Sequence, residues 1–130
     1  MKLTVHQGDI LTAQTAAIVY PADSQGAVGS AEVADGKFIH APTMRHPHEP
    51  IPPKQVELAT VAALRCADES GFTSVALPPL GTTIGEVDVA TAAKMMMETI
   101  QMFRSDNTLA LVEVWLPTAE AYTAFNRYAA

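Results

Sequence analysis

The apolar positions of the chain fall into short runs separated by turn residues, and their spacing changes along its length. Lys2-Leu3-Thr4-Val5-His6 alternates polar and apolar, as a strand with one buried face does. Gln7-Gly8-Asp9-Ile10 interrupts it as a turn. Ala16-Ala17-Ile18-Val19-Tyr20 predicts a second, more continuous apolar strand, stopped by Pro21. From Ala22 to Gly36 the chain is rich in Gly, Ala and Ser with scattered acids, which predicts a loop with one short edge strand around Ala31 to Ala34. Lys37-Phe38-Ile39-His40-Ala41 predicts a third strand. From His46 to Pro53, four prolines exclude regular structure by removing donors and restricting the residues before them.

Those prolines suit the start of a helix. Its inward face is Val56, Ala59, Ala63, Cys66 and Ala67, and Gly71 is its C-terminal stop. Ser74 to Pro78 is a continuous apolar run of the kind that forms a strand buried on both faces. A loop with two glycines and two threonines follows, and Asp88 opens a second helix. Val89, Ala92, Ala93, Met96, Ile100 and Phe103 form one stripe of that helix, opposite Thr91, Lys94, Glu98 and Gln101. Within Met95-Met96-Met97 only Met96 falls squarely on the stripe, so core filling is the expected role of the run. Thr108 to Leu116 predicts a long, central strand, and Thr118 caps a last helix with Tyr122, Phe125 and Tyr128 on its stripe. Strands alternating with helices predict a layered α/β domain with a largely parallel sheet, a single domain over residues 1–130.

Composition narrows the function classes. The chain is 48% apolar and 17% charged, an ordinary globular balance. A formal net charge of −6 argues against binding a nucleic-acid backbone, since there is no cationic surplus to displace counterions. A nucleotide held by backbone amides is not excluded. The single Cys66 provides neither an internal disulfide framework nor a cysteine metal cluster, and on a helix's buried face it reads as an inert small hydrophobe. His46, His48 and Glu49 offer two imidazoles but need a further ligand from elsewhere, so no metal and no cofactor are assigned. No apolar run approaches the ~18 residues of a membrane span, and Met1 leads directly into the alternating segment without a signal-peptide pattern. A cytoplasmic protein without membrane association is the expectation.

The candidate chemistry centres on the loop after the buried strand, since such loops bind ligands in open α/β sheets. Gly81 and Gly85 let a backbone approach a ligand closely, and Thr82 and Thr83 add hydroxyl donors. Amides near the following helix suit an anion, above all a phosphate. The same residues also suit a plain β–α turn. His40, on a strand, reads as a structural histidine.

Taken in order, the segments resemble a macro domain, the ADP-ribose-binding module. The resemblance rests on Gln7-Gly8-Asp9-Ile10 followed by Ala17-Ile18-Val19, on Phe38 to Arg45, on Val75 to Gly85 with its helix, and on the closing strand with Glu120-Ala121-Tyr122. It implies a three-layer α/β/α sandwich with a mixed, largely parallel sheet, trimmed between the second and third strands. It also implies ADP-ribose in a cleft at one end of the sheet. Gly8, Asp9 and Ile10 would meet the adenine, Asp9 accepting from its amino group. Leu80, Gly81, Thr82, Thr83, Ile84 and Gly85 would wrap the diphosphate. The alternative for Asp9 is a turn carboxylate bonded to its own backbone.

Several positions depart from the family pattern. Where hydrolases of the family carry Asn-Ala-Ala-Asn, this chain has Tyr20-Pro21-Ala22-Asp23, placing an anion where a neutral amide positions the distal ribose. The family's glycine run shrinks to Gly26-Ala27-Val28-Gly29, without its helix. Thr83 stands where a glycine is common. The adenine-stacking aromatic falls on Leu116, and Trp115, one place off, faces the other side of the sheet. The leading reading is binding of ADP-ribose or a related nucleotide metabolite. Hydrolysis of an ADP-ribosyl ester or of ADP-ribose 1″-phosphate would draw on Asp23 as a base. One alternative is a macro-like scaffold without nucleotide binding, whose shortened cleft wall exposes apolar surface that a homodimer would cover. Another is a phosphatase of a different small ester, using the loop alone.

Overall fold

The structure is a computed structural model that describes residues 1–22, 31–42, 53–80 and 87–129. The strands are β1 (Lys2–Gln7), β2 (Ala17–Ala22), β3 (Glu32–Asp35), β4 (Phe38–Pro42), β5 (Ser74–Leu77) and β6 (Leu111–Leu116). The helices are α1 (Pro53–Glu69), α2 (Val89–Met102) and α3 (Ala119–Asn126), with a 3-10 turn at Ile10–Thr12. One six-stranded sheet runs in the order β1-β6-β5-β2-β4-β3. Every neighbouring pair is parallel except β3 with β4, so the expected mixed, largely parallel sheet is present. The short edge strand expected near Ala31 is β3, an antiparallel partner of β4.

Period-two alternation divides the sheet into two faces. Ala17, Val19, Ile39, Val75, Leu77, Val112, Val114 and Leu116 point into the main core, where all three helices pack. Ile18, Phe38, Ala76 and Trp115 point the other way into a small second cluster with Ile10 and Ala13. Among the described residues, that second face is crossed only by the segment joining β1 to β2. β6 shows the division cleanly, with Val112, Val114 and Leu116 buried and the residues between them half-buried. It is interior, between β1 and β5, but shorter than the run from Thr108 suggests.

Two helices bury wider arcs than their sequence stripes. On α1, Thr60, Ala62 and Leu64 are buried while Cys66 is only half-buried, because the helix packs against both the sheet and α2. Burial pushes the Cys66 thiol up from its ordinary pKa, a shift that the Ser70 hydroxyl opposes and the carboxylates of Glu69 and Glu32 reinforce to a lesser degree. On α2, Met97 joins Met96 in the core because the helix is flanked by α1 and α3. The starts of α2 and α3 are capped as their sequences imply. Asp88 accepts from the Thr91 amide at 3.3 Å, and Thr118 accepts from the Ala121 amide at 3.1 Å.

α1 ends in a Schellman turn. Gly71 adopts φ of +87°, the Phe72 amide reaches the Ala67 carbonyl at 3.0 Å, and the Gly71 amide reaches that of Asp68 at 3.4 Å. The Asp68 side chain, 4% exposed, then organises the entry to β6. Its Oδ1 accepts from Ser105 Oγ at 2.6 Å, the Thr108 amide at 3.0 Å and the Leu109 amide at 2.8 Å. Its Oδ2 accepts from the Asp106 and Asn107 amides at 3.1 and 3.2 Å and from Asn107 Nδ2 at 3.3 Å. Burial alone would raise this carboxyl's pKa. The Ser105 hydroxyl, the Leu109 and Asp106 amides and the Asn107 side chain outweigh it and hold the pKa well below the ordinary carboxylate value.

Asp68→Asn sets an amide N–H₂ against several of these donors and should cost at least about 3 kcal/mol in urea unfolding at neutral pH. The depressed folded pKa means the carboxylate contributes its stability above the unfolded value of 3.8 and loses it as pH falls further. Wild-type stability should therefore drop from about pH 4 downward more steeply than that of Asp68→Asn, which denaturation curves across that range would register.

Candidate functional site

Because β1, β6, β5, β2 and β4 run parallel, their carboxyl ends form one rim. Gln7-Gly8-Asp9 leaves β1 there, Pro117 leaves β6, and Pro78-Pro79-Leu80 leaves β5. β5 connects onward to β6 on one side, whereas β2 connects toward β3 and β4 on the other. Adjacent strands whose connections diverge mark the ligand-binding position of open α/β sheets.

The turn after β1 is tightly specified. The Gly8 amide extends the ladder to the Leu116 carbonyl at 2.9 Å, and Gly8 sits at φ of +150°. A Cβ on Gly8 would stand 3.3 Å from Trp115 Cζ3, so the turn rests on the indole. Asp9 is exposed and caps the 3-10 turn, its Oδ1 accepting from the Leu11 amide at 2.9 Å. Its carbonyl accepts from Thr12 Oγ1 at 2.6 Å and the Thr12 amide at 2.9 Å. The backbone-bonded turn carboxylate is thus present. Among the described residues, Asp9 Oδ2 and the Ile10 amide make no hydrogen bond, which leaves an acceptor and a donor side by side for an external group.

Across the rim, Leu80 is fully buried and its amide donates to Met96 Sδ on α2 at 3.3 Å. Leu80 thereby anchors the start of the loop to the core. Gly81, Thr82, Thr83, Ile84 and Gly85 lie outside the described residues, as does Asp23. The start of α2 is already occupied by the Asp88 carboxylate. The ends of β1 and β5 are two strand spacings apart, about 10 Å, a separation that a nucleoside diphosphate can bridge.

Two side-chain groups on the second face escape a reading based on core positions. In one, His6 stacks on Trp115 with ring centroids 4.8 Å apart and planes at 10°. Trp115 Nε1 donates to Glu113 Oε1 at 2.8 Å, Glu113 Oε2 lies 3.8 Å from His6 Nε2, and Thr4 Oγ1 is 2.8 Å from the same nitrogen. In the other, Tyr20 meets His40 edge-on at 4.3 Å and Phe38 at 5.9 Å. His40 Nε2 is buried without a hydrogen-bond partner among the described residues. All six rings and carboxylates share the parity opposite to the buried strand residues, a signal legible in the alternation alone. As expected, Leu116 is in the main core and Trp115 faces away from it. His46, His48 and Glu49 lie outside the described residues. A groove of about 520 Å³ between the carboxyl-terminal halves of α1 and α2, lined by Arg65, Glu69, Met102 and Phe103, opens at the opposite end of the sheet from the rim.

The family model for the Macro domain matches residues 23–96, more than half of the chain. An uncharacterised protein of Aeropyrum pernix is 32% identical over 126 residues, covering 71% of this chain and 67% of that protein. An uncharacterised protein of Aquifex aeolicus is 46% identical over 65 residues, covering 50% of this chain and 39% of its own length, so the chain spans well under half of that relative. Among solved structures, the Trypanosoma brucei macrodomain in complex with ADP-ribose superposes with a TM-score of 0.81 at 13% identity, over 98% of this chain and 69% of that one. The Oceanobacillus iheyensis macrodomain with ADP gives 0.78 at 17% identity, over 96% and 88%. At these identities the structural likeness is one of fold.

The tightest local constraint on the rim is at Gly8. Gly8→Ala forces a side chain into positive φ and against the indole, so it should lower stability by roughly 1–3 kcal/mol. A chemical denaturation curve of the purified variant measures this loss.

Proposed function

This chain belongs to the macro domain family, and from that premise we propose that it binds ADP-ribose or a related nucleotide metabolite at the carboxyl rim of its sheet. The observation that carries the reading is the Asp9–Ile10 pair, an exposed carboxylate oxygen beside an amide, neither bonded within the described residues. That acceptor and donor match the amino group and adjacent ring nitrogen of adenine. Two structures of the same fold, from Trypanosoma brucei and Oceanobacillus iheyensis, hold ADP-ribose and ADP. We assign the diphosphate to the amides of the loop that follows Leu80, from Gly81 to Gly85, with the glycines allowing close approach, while the Leu80 amide is spent on Met96 and only anchors that loop. Leu80, pinned to Met96, fixes where that loop begins. The net charge of −6 favours such a small ligand over a nucleic-acid backbone.

Hydrolysis of an ADP-ribosyl ester or of ADP-ribose 1″-phosphate is the finer form of the proposal, with Asp23, the residue after β2, as the base toward a bound water. A second reading has one observation in its favour. Leu11 is 64% exposed and Tyr20 38% exposed, both on the side of the sheet away from the helices. A scaffold that binds no nucleotide would use that surface for contact with a second copy or another protein.

Isothermal titration of the purified protein with ADP-ribose decides between them. Micromolar binding, tighter than AMP, is expected. Asp9→Asn keeps an oxygen for the Leu11 amide but puts a donor where Oδ2 stood, so it should weaken ADP-ribose by roughly 1–3 kcal/mol without lowering the melting temperature. No heat with ADP-ribose, ADP or AMP at millimolar concentration would remove the nucleotide reading and leave the contact surface.

A further inference from the structure

The Asp9 turn is closed by a single turn of 3-10 helix, yet reading a base edge demands that its acceptor stay within a fraction of an ångström of one position. Something must hold it in place. Beneath it lies the indole of Trp115, whose Cζ3 would be 3.3 Å from a Cβ on Gly8. The indole is itself fixed from several directions. His6, directly opposite in the β1–β6 register, stacks on its face at 4.8 Å. Glu113 holds its N–H at 2.8 Å. Thr4 hydrogen-bonds the His6 ring at 2.8 Å and so orients the stacking partner. On the far side of Asp9, Ile10 packs with Trp115 against the same small cluster of Ala13, Ile18 and Ala76. Asp9 is therefore suspended between Gly8, which closes on the indole, and Ile10, which shares with the indole one small apolar cluster.

We propose that Trp115 is a positioning residue for base recognition, with His6 and Glu113 locking its orientation. It makes no contact with the ligand. It acts by holding Gly8 and Ile10, so that Asp9 Oδ2 and the Ile10 amide present adenine's complement in fixed geometry. The inference rests on the nucleotide reading above and deepens it from affinity to base selectivity. A flexible turn would bind a diphosphate through the neighbouring loop equally well, but it could not tell a 6-amino purine from a 6-oxo purine.

The test is the ratio of dissociation constants for IDP and ADP, which cancels any effect shared by both ligands. The wild type should prefer ADP by about tenfold, the equivalent of one well-placed hydrogen bond. Trp115→Leu should bring the ratio below about threefold while leaving IDP affinity within about twofold of wild type, and Trp115→Phe, which keeps a ring under Gly8, should restore most of it. A purely structural role would instead weaken both nucleotides alike. Should Trp115→Leu fail to fold, His6→Ala, at a site 36% exposed, frees one face of the indole and should still lower the ratio by about threefold. A discriminating wild type whose Trp115→Leu or His6→Ala variant discriminates equally well would overturn this inference alone. A wild type that binds neither nucleotide would overturn the binding reading and this inference with it.

Discussion

A single buried carboxylate sets the geometry on which the rest depends. Asp68 sits in the last turn of α1, where the helix dipole disfavours an anion and burial disfavours it further. It is retained because the chain from Ser105 to Leu109 folds around it and supplies a hydroxyl, a side-chain amide and four backbone amides. Those donors would otherwise lose water with nothing in return. Once Leu109 is fixed, Ala110 and Leu111 both donate to the Thr73 carbonyl, and Lys2 donates to that of Ala110. The knot thus sets the register of β6 against its neighbours on both sides. Trp115 and Leu116 arrive at the opposite end of the strand in the positions from which they hold Gly8. Helix termination at one end of the sheet and turn geometry at the other are linked through one six-residue strand.

Much of this was legible in the sequence because the periodicities are strong. The alternation in β1 and β6, the capping residues Asp88 and Thr118 and the stop at Gly71 each express a local rule that tertiary context did not overturn. Asp68 was not legible. An acid in the last turn of a helix looks like ordinary surface, and its six donors come from a segment some forty residues on. Met97 and Cys66 exchanged expected burial for a similar reason, since a helix wedged between neighbours buries more than one stripe and leaves different flanks open. For the candidate site, Gly8-Asp9-Ile10 could be picked out, but its dependence on Trp115 could not. The sequence shows that Trp115 and Leu116 face opposite ways; only the register between β1 and β6 shows which strand end the indole supports.

Asp9 also shows that a structural and a functional reading of one residue need not compete. A carboxylate has two oxygens. One closes the turn that follows β1, and this closure is what aims the other outward. The capping bond is therefore a condition for recognition, and a side chain with a single oxygen acceptor can do only half of the work. Leu80 makes a related point from the other side of the rim. Its amide is turned into the core toward a thioether, a weak acceptor, so it fixes the base of a glycine-containing loop without itself being available to a ligand.

The strand order carries a consequence for how the molecule comes into being. Among the described residues β1 pairs only with β6, and the paired positions Lys2 and Leu111 are more than a hundred residues apart in the sequence. During synthesis the first strand must wait, with its apolar face uncovered, until the chain has been made as far as β6. Pairings of such long sequence separation are slow to close, and unpartnered apolar strands are where nascent chains aggregate. Because the Asp9 turn rests on the junction of these same two strands, the site should be among the last parts of the molecule to acquire its shape. A chain interrupted before β6 could carry every candidate ligand-contacting residue and still lack the surface that aligns them.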